Sequence, residues 1–319
     1  MAAFRYPQGI PMENPKYLSM NGEIVPFADA KIHSLTPGVK YGTAVFEGIR
    51  GYWNDRRKDM YLFRLEEHLN RLHFSMKVMR FEHRLENRQM AQALIDLIKA
   101  NELREDIHIR LLVWVDGEGD MNATGPIGWS LAALPRPPSK AVSEGVHVAV
   151  SSWRRINDNA MPARVKATAN YNNGRLATLQ ARADNYDNAI ILTQQGRVSE
   201  SPGSCFFMVR DGMPATPGVT SDILESVTRA TVMRIFKEYL GRETDEREID
   251  RTELYAAEET FFCGSGYEIQ PILSIDRQPV GNGKPGELTR ALQQKYFSIV
   301  RGETADHAEW RTAVYLKNE

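Results

Sequence analysis

Cysteine is nearly absent from this chain: Cys205 and Cys263 are the two in 319 residues, far apart and with no CxxC spacing or Cys/His cluster. A disulfide framework and a zinc site are therefore not expected, and the usage suits a reduced, cytosolic protein. No apolar run approaches a transmembrane helix, and the opening stretch MAAFRYPQGIPMEN has none of the kind a secretory leader needs. An excess of one charge is missing too. The 40 Lys and Arg balance 41 Asp and Glu, so neither nucleic acid nor a membrane surface is expected as a partner. The common catalytic signatures are also missing: no GxGxxG after a strand, no GxxxxGK[ST], no HExxH and no GxSxG.

What is present is a mixture of strand and helix signals. Asn21-Gly22 inside Tyr17–Val25 predicts a hairpin. Thr43–Trp53 and Met60–Arg64 read as strands. Leu65, Leu69, Leu72, Met76 and Met79 recur at helical spacing, and Met90, Leu94, Leu97 and Ile98 mark a second helix. Ile107–Val115 reads as a strand whose apolar residues share one face, which puts His108 and Arg110 together on the other. Three prolines in Pro135–Pro138 interrupt helix and central strand alike. Beyond them, strands are expected at Val146–Ser151, Ala189–Thr193, Cys205–Arg210, Thr260–Cys263 and Glu268–Ile275. Helices are expected around Leu176, Leu179 and Ala183, at Val227–Leu240 and at Glu287–Val300. The reading is an α+β chain of two domains, 1–134 and 146–319, joined by a linker at 135–145.

One lysine stands out. In MPARVKATANYNNG, Lys166 sits among Ala163, Val165, Ala167 and Ala169, with Asn170 and Tyr171 just after it. A lysine becomes an imine-forming nucleophile when desolvation or a nearby cation lowers its pKa. Taken alone, such a lysine more often snorkels from a strand end. By the same standard Glu200 reads as a loop glutamate, Arg71 as a surface helix arginine and His108 as a core histidine.

The neighbourhood changes those readings. Seven stretches occur in order: Tyr41-Gly-Thr-Ala-Val-Phe-Glu-Gly-Ile-Arg50, Glu67-His-Leu-Asn-Arg71, Ser151-Ser-Trp153, Lys166-Ala-Thr-Ala-Asn-Tyr171, Val198-Ser-Glu200, Leu224-Glu-Ser-Val-Thr-Arg229 and Cys263-Gly-Ser-Gly-Tyr-Glu268. Together they resemble the branched-chain aminotransferases, which are class IV, or fold type IV, pyridoxal-phosphate enzymes. The resemblance implies a two-domain fold of the D-amino-acid aminotransferase type, with a small N-terminal α/β domain and a larger C-terminal pseudobarrel. It implies a cytoplasmic homodimer that uses pyridoxal 5′-phosphate. The expected activity moves an amino group between a branched-chain or similar apolar L-amino acid and a 2-oxo acid. Glutamate and 2-oxoglutarate would form the partner pair, in ping-pong half-reactions through a Schiff base on Lys166.

The same resemblance distributes roles. Lys166 is the catalytic lysine. Glu200 faces the pyridine nitrogen, Tyr171 the phenolic oxygen, and Leu224 packs on the ring. Val227, Thr228, Ser265 and Arg71 hold the phosphate, which a helix N-terminus and a guanidinium both suit. The substrate's α-carboxylate meets the backbone amides of the Ser265-Gly266 turn, with Tyr267 beside it in the substrate pocket and His108 at the position of a family tyrosine. Arg110 reads the distal carboxylate of glutamate, and Tyr41 and Phe46 line the side-chain pocket. No metal is expected. The chain departs from the family pattern at Ser226, at Ser201–Phe206, at Tyr267 and in its short linker. A D-amino-acid transaminase, an (R)-amine transaminase or an aminodeoxychorismate lyase on the same scaffold is the alternative.

Overall fold

The structure, a computed structural model, describes residues 14–82 and 85–316. The opening segment read above for a leader lies outside them up to residue 13. The chain forms two compact units. One takes in the chain up to Pro137 together with the segment from Ile299 onward; the other is Pro138–Ser298. The final segment thus packs with the first unit, where the sequence reading placed it in the second domain. Asn54 donates its amide to the Arg301 carbonyl at 2.6 Å, and the Arg301 guanidinium pairs with Asp106 at 3.1 Å. These contacts are made at long sequence separation, which no local pattern reports.

In the first unit, β1 (Tyr17–Met20) and β2 (Glu23–Pro26) form the expected hairpin. Asn21 and Gly22 both take positive φ, as a two-residue hairpin turn requires. A short helix α1 (Pro37–Lys40) follows, capped by the Thr36 side chain. Then come β3 (Ala44–Asn54), β4 (Asp59–Phe63), α2 (Leu65–Val78), α3 (Asn87–Ala100), β5 (Ile107–Val115) and β6 (Ile127–Pro135). With the late strand Arg311–Ala313 they give a seven-stranded sheet in the order Arg311–Ala313, β4, β3, β5, β6, β1, β2. The helix α2 lies on β3 and buries Leu65, Leu69, Leu72 and Met76. The expected linker is structured at both ends: β6 runs into Pro135, and α4 (Lys140–Glu144), capped by Ser139, begins three residues after Pro137.

The second unit continues with β7 (Val146–Arg154), α5 (Tyr171–Ala183), β8 (Asn188–Leu192), β9 (Cys205–Arg210), β10 (Met213–Pro217) and α6 (Val227–Tyr239). It closes with β11 (Asp245–Arg247), β12 (Glu259–Gly264), β13 (Glu268–Ile275), β14 (Gln278–Pro279) and α7 (Glu287–Val300). The sheet order is β11-β10-β9-β12-β13-β7-β8, with β14 on β13. Its core is aromatic and aliphatic, with Phe206, Met208, Phe262, Ile190 and Ile272 fully or nearly fully buried. The helix marked by Leu176, Leu179 and Ala183 is present as α5, but those residues are not its buried face. Leu176 and Leu179 are exposed, and Gly174, Ala177 and Ala181 are buried. Close approach of the helix to its neighbours selects small residues there, so the larger apolar ones turn outward.

Candidate active site

The lysine that stood out lies in the second unit, in the irregular stretch before α5. Burial alternates along it: Ala163, Val165 and Ala167 are buried, and Lys166 is half-buried. The small apolar neighbours anchor the loop in the core and turn the lysine the other way. Asn170 fastens the loop, donating its amide to the carbonyls of Pro162 at 3.0 Å and Val165 at 2.9 Å. The Lys166 Nζ then donates to the Tyr171 hydroxyl at 2.7 Å.

Glu200 is reached by a turn after β8. The chain reverses at Gly196, which has positive φ, and Ile191 N–H donates to the Glu200 carbonyl. The side chain is buried, contrary to the reading of a solvated loop glutamate. Oε1 accepts from the Arg155 guanidinium at 2.7 Å; Oε2 accepts from Leu224 N–H at 3.2 Å and lies 3.9 Å from the Cys205 thiol. Burial raises the carboxyl above its ordinary value, against Arg155, the Leu224 amide and Lys166, which all pull it down.

Leu224 leads directly into α6. Ser226 caps that helix, its hydroxyl accepting from Arg229 N–H at 3.3 Å, so this departure from the family pattern serves as an N-cap. Val227 and Thr228 begin the helix at the positive end of its dipole. The Thr228 hydroxyl lies 3.3 Å from that of Ser265, which sits on the turn between β12 and β13. In that turn Tyr267 N–H donates to Gly264 O, and Glu268, which pairs with Gly264, follows with φ 58°, in the left-handed region.

Two glycines show how tightly these parts meet. A Cβ at Gly203 would lie 3.2 Å from the Tyr267 ring, so the phenol rests directly on the loop after Glu200. A Cβ at Gly174 would lie 2.6 Å from the Pro202 carbonyl, so α5 presses on the same loop from another side. The loop closes on itself, with the Ser201 hydroxyl accepting from the N–H groups of Gly203 and Ser204. The unusual Ser201–Phe206 stretch thus builds a self-contained turn held by Gly174 and Tyr267.

The first unit holds the remaining candidates. Arg71 is gripped by Glu47: Nε donates at 2.8 Å and Nη2 at 2.7 Å, and His68 Nδ1 meets the same carboxylate at 2.7 Å. Burial of Glu47 opposes ionisation, but Arg71 and His68 outweigh it and hold the carboxyl far below the usual glutamate range. The Nε–Nη2 edge of Arg71 is committed to this carboxylate, so that bidentate edge is not the one offered to a ligand. Glu47 escaped the sequence reading, although it lies inside the Phe46–Arg50 motif.

On the opposite face of β3, Phe46, Gly48 and Arg50 alternate, and β5 sets Arg110 opposite Gly48 and His108 opposite Arg50. Arg110 stacks over the Phe46 ring with its guanidinium carbon 4.7 Å from the centroid. A Cβ at Gly48 would come within 3.1 Å of the His108 ring, so glycine makes room for the histidine. Tyr41 stands apart from this face, exposed at the C-cap of α1. Arg155 was also missed; its only sequence signal is its place two residues after Trp153. Among the described residues no helix is long and apolar enough to cross a membrane, and no cluster of metal-ligand type occurs.

Comparison with known proteins bears on this geometry. A profile of the family described as amino-transferase class IV matches residues 44–275. A branched-chain-amino-acid aminotransferase of Escherichia coli K12 is 38% identical over 301 residues, covering 92% of this chain and 96% of the relative. Among solved structures, the branched-chain amino acid aminotransferase of Thermobaculum terrenum in its PLP form superposes with a TM-score of 0.90 at 42% identity, covering 95% of this chain and 100% of that one. The branched-chain aminotransferase of the thermophilic archaeon Thermoproteus uzoniensis, solved with norvaline, gives a TM-score of 0.90 at 36% identity, covering 95% and 100%.

Proposed function

Since this chain belongs to the class IV aminotransferase family, we propose that it is a pyridoxal-phosphate transaminase for branched-chain or similar apolar L-amino acids, with glutamate and 2-oxoglutarate as the partner pair. The single observation that supports this most strongly is the 2.7 Å contact between Lys166 Nζ and the Tyr171 hydroxyl, beside a buried Glu200. The residues of the second unit fit the cofactor chemically. A buried carboxylate held by cations suits a protonated ring nitrogen, a tyrosine hydroxyl suits the ring oxygen, and a helix start with two hydroxyls suits a phosphate.

When bound, pyridoxal phosphate supplies a carbonyl carbon for the amino group and a ring that accepts the electron pair released at the substrate's α-carbon. The rest is the protein's work. Lys166 would be the attachment point, and its amine, once released, would take the proton from the substrate's α-carbon and deliver it to the carbon that was the cofactor's carbonyl. Tyr171 hydrogen-bonds Lys166 and so sets where Nζ points. Glu200 holds the proton at the ring nitrogen. Leu224 packs on the ring, and the hydroxyls of Thr228 and Ser265, with the amides of Val227 and Thr228, hold the phosphate. Arg71, held by Glu47, adds charge to the phosphate by its place in the family motif.

For the substrate, the turn amides at Ser265 and Gly266 take the α-carboxylate, with Tyr267 beside them, its own N–H being held by Gly264 O. Arg110 selects the distal carboxylate of glutamate, with His108 beside it on the strand face. Phe46 accepts an apolar side chain, and Tyr41, which stands apart from that strand face, is assigned to the same role by its place in the family motif alone. The resemblance adds a homodimer, which sedimentation of the purified protein would test.

The experiment is a donor panel. L-glutamate and L-leucine should each convert the purified, yellow protein, and D-amino acids should not. Conversion by D-amino acids alone, or pyruvate release from aminodeoxychorismate, would replace this reading with another class IV activity.

A further inference from the structure

Arg155 has no part in the roles above, yet its side chain is among the more constrained in the second unit. It follows β7 and is buried. The guanidinium meets Glu200 Oε1 at 2.7 Å and donates from Nε to the Asp222 carbonyl at 3.3 Å. Its backbone is tied on both sides: N–H donates to Leu192 O at 2.8 Å, and its carbonyl accepts from Gln194 Nε2 at 3.0 Å. These ties decide where the fork ends before any ligand arrives, so little ordering entropy is left to lose. The other groups that face Glu200 are Lys166 and the thiols of Cys205 and Cys263; Asp222 interacts with Arg155 and with Asp158.

Resting on the cofactor reading above, we propose that Arg155 is the positioning residue for Glu200, holding its carboxylate charged and in one orientation for the ring nitrogen of pyridoxal phosphate. Without the guanidinium, a carboxyl this deeply buried takes up a proton. A neutral carboxylic acid no longer stabilises the proton on the ring nitrogen. The effect on binding and the effect on pH dependence then have one cause.

The test uses Arg155→Gln, Arg155→Lys and Glu200→Gln, with the Arg155→Gln/Glu200→Gln double variant. Each protein is stripped of cofactor and titrated with pyridoxal phosphate, and each reconstituted protein gives a pH profile of kcat/KM. Arg155→Gln is expected to weaken pyridoxal-phosphate binding about tenfold or more and to move the acid limb upward by about one pH unit or more. Arg155→Lys should restore most of both. In the Glu200→Gln background, loss of Arg155 should change binding less than about twofold, because its partner is already gone. An Arg155→Gln protein that binds the cofactor as the wild type does, with the acid limb in place, overturns the proposal. If Arg155→Gln alone does not fold, rescue by the double variant supports the pairing, and failure of that rescue overturns it. Wild-type protein that takes up no pyridoxal phosphate overturns the cofactor reading itself, and with it this inference, before any variant is made.

Discussion

Lys166 Nζ donates to the hydroxyl of Tyr171 across 2.7 Å, though the two residues are only five apart and α5 begins at the tyrosine. The contact exists because the intervening chain turns sharply, and Asn170 holds that turn by two carbonyls.

Asn170→Ala therefore removes two buried hydrogen bonds and leaves the carbonyls of Pro162 and Val165 without them. The expected cost is about 1–3 kcal/mol of stability. A drop in kcat should accompany it, because the lysine loses its aim. Chemical denaturation and steady-state rates check this; unchanged stability would show that the loop is held by something else.

Gly174→Ala should destabilise, against the usual sign. In an exposed helix interior the change gains about 0.5–1 kcal/mol. Here the new methyl would meet the Pro202 carbonyl at 2.6 Å, and main chain cannot swing aside as a flexible side chain can. Overpacking of this kind costs about 1–3 kcal/mol. A thermal melt decides the sign, and a stabilised variant would contradict the packing described.

Glu47→Gln tests the buried ion cluster of the first unit. Removing the carboxylate strands Arg71 and His68 and should cost about 3–5 kcal/mol near neutral pH. The pH dependence has a definite sign. The folded pKa of Glu47 is depressed, so its contribution is complete above the ordinary glutamate value of about 4.5 and is lost as pH falls below it. The stability gap between wild type and variant should narrow from that value downward. A gap that widens in acid would reverse the assignment.

Arg110→Gln should separate the two substrates. Losing a charge-assisted contact worth about 1.5–3 kcal/mol raises KM for glutamate and 2-oxoglutarate roughly tenfold to a hundredfold. KM for leucine, which has no distal carboxylate, should change little. Equal losses for both would place the effect in the stacking on Phe46 rather than in recognition of glutamate.

How much of this was legible in the sequence depends on the range of the interaction. Ile107–Val115, Cys205–Arg210 and Glu287–Val300 were read with the bounds they have, because an alternating strand, an unbroken apolar run and a helical repeat are each local signals. The strand Ile127–Pro135 was overlooked, since its proline end read as a break. The late strand Arg311–Ala313 was missed because its partner β4 lies far away in sequence. On α5 the leucines marked the helix but not its buried face, which is chosen by how closely Pro202 approaches. Lys166, Tyr171 and Glu200 were legible as motif positions. The partners Arg155 and Glu47 were not, because an ion pair formed across the fold leaves no local pattern at either residue.

The most direct measurement is the visible absorbance of the purified protein, beside its Lys166→Ala variant, as L-glutamate is added. A yellow wild type that bleaches with L-glutamate, and a variant that neither forms the same band nor turns over, is the predicted result. A wild type that stays colourless after pyridoxal phosphate is supplied, or a Lys166→Ala protein with full transaminase activity, would contradict the account.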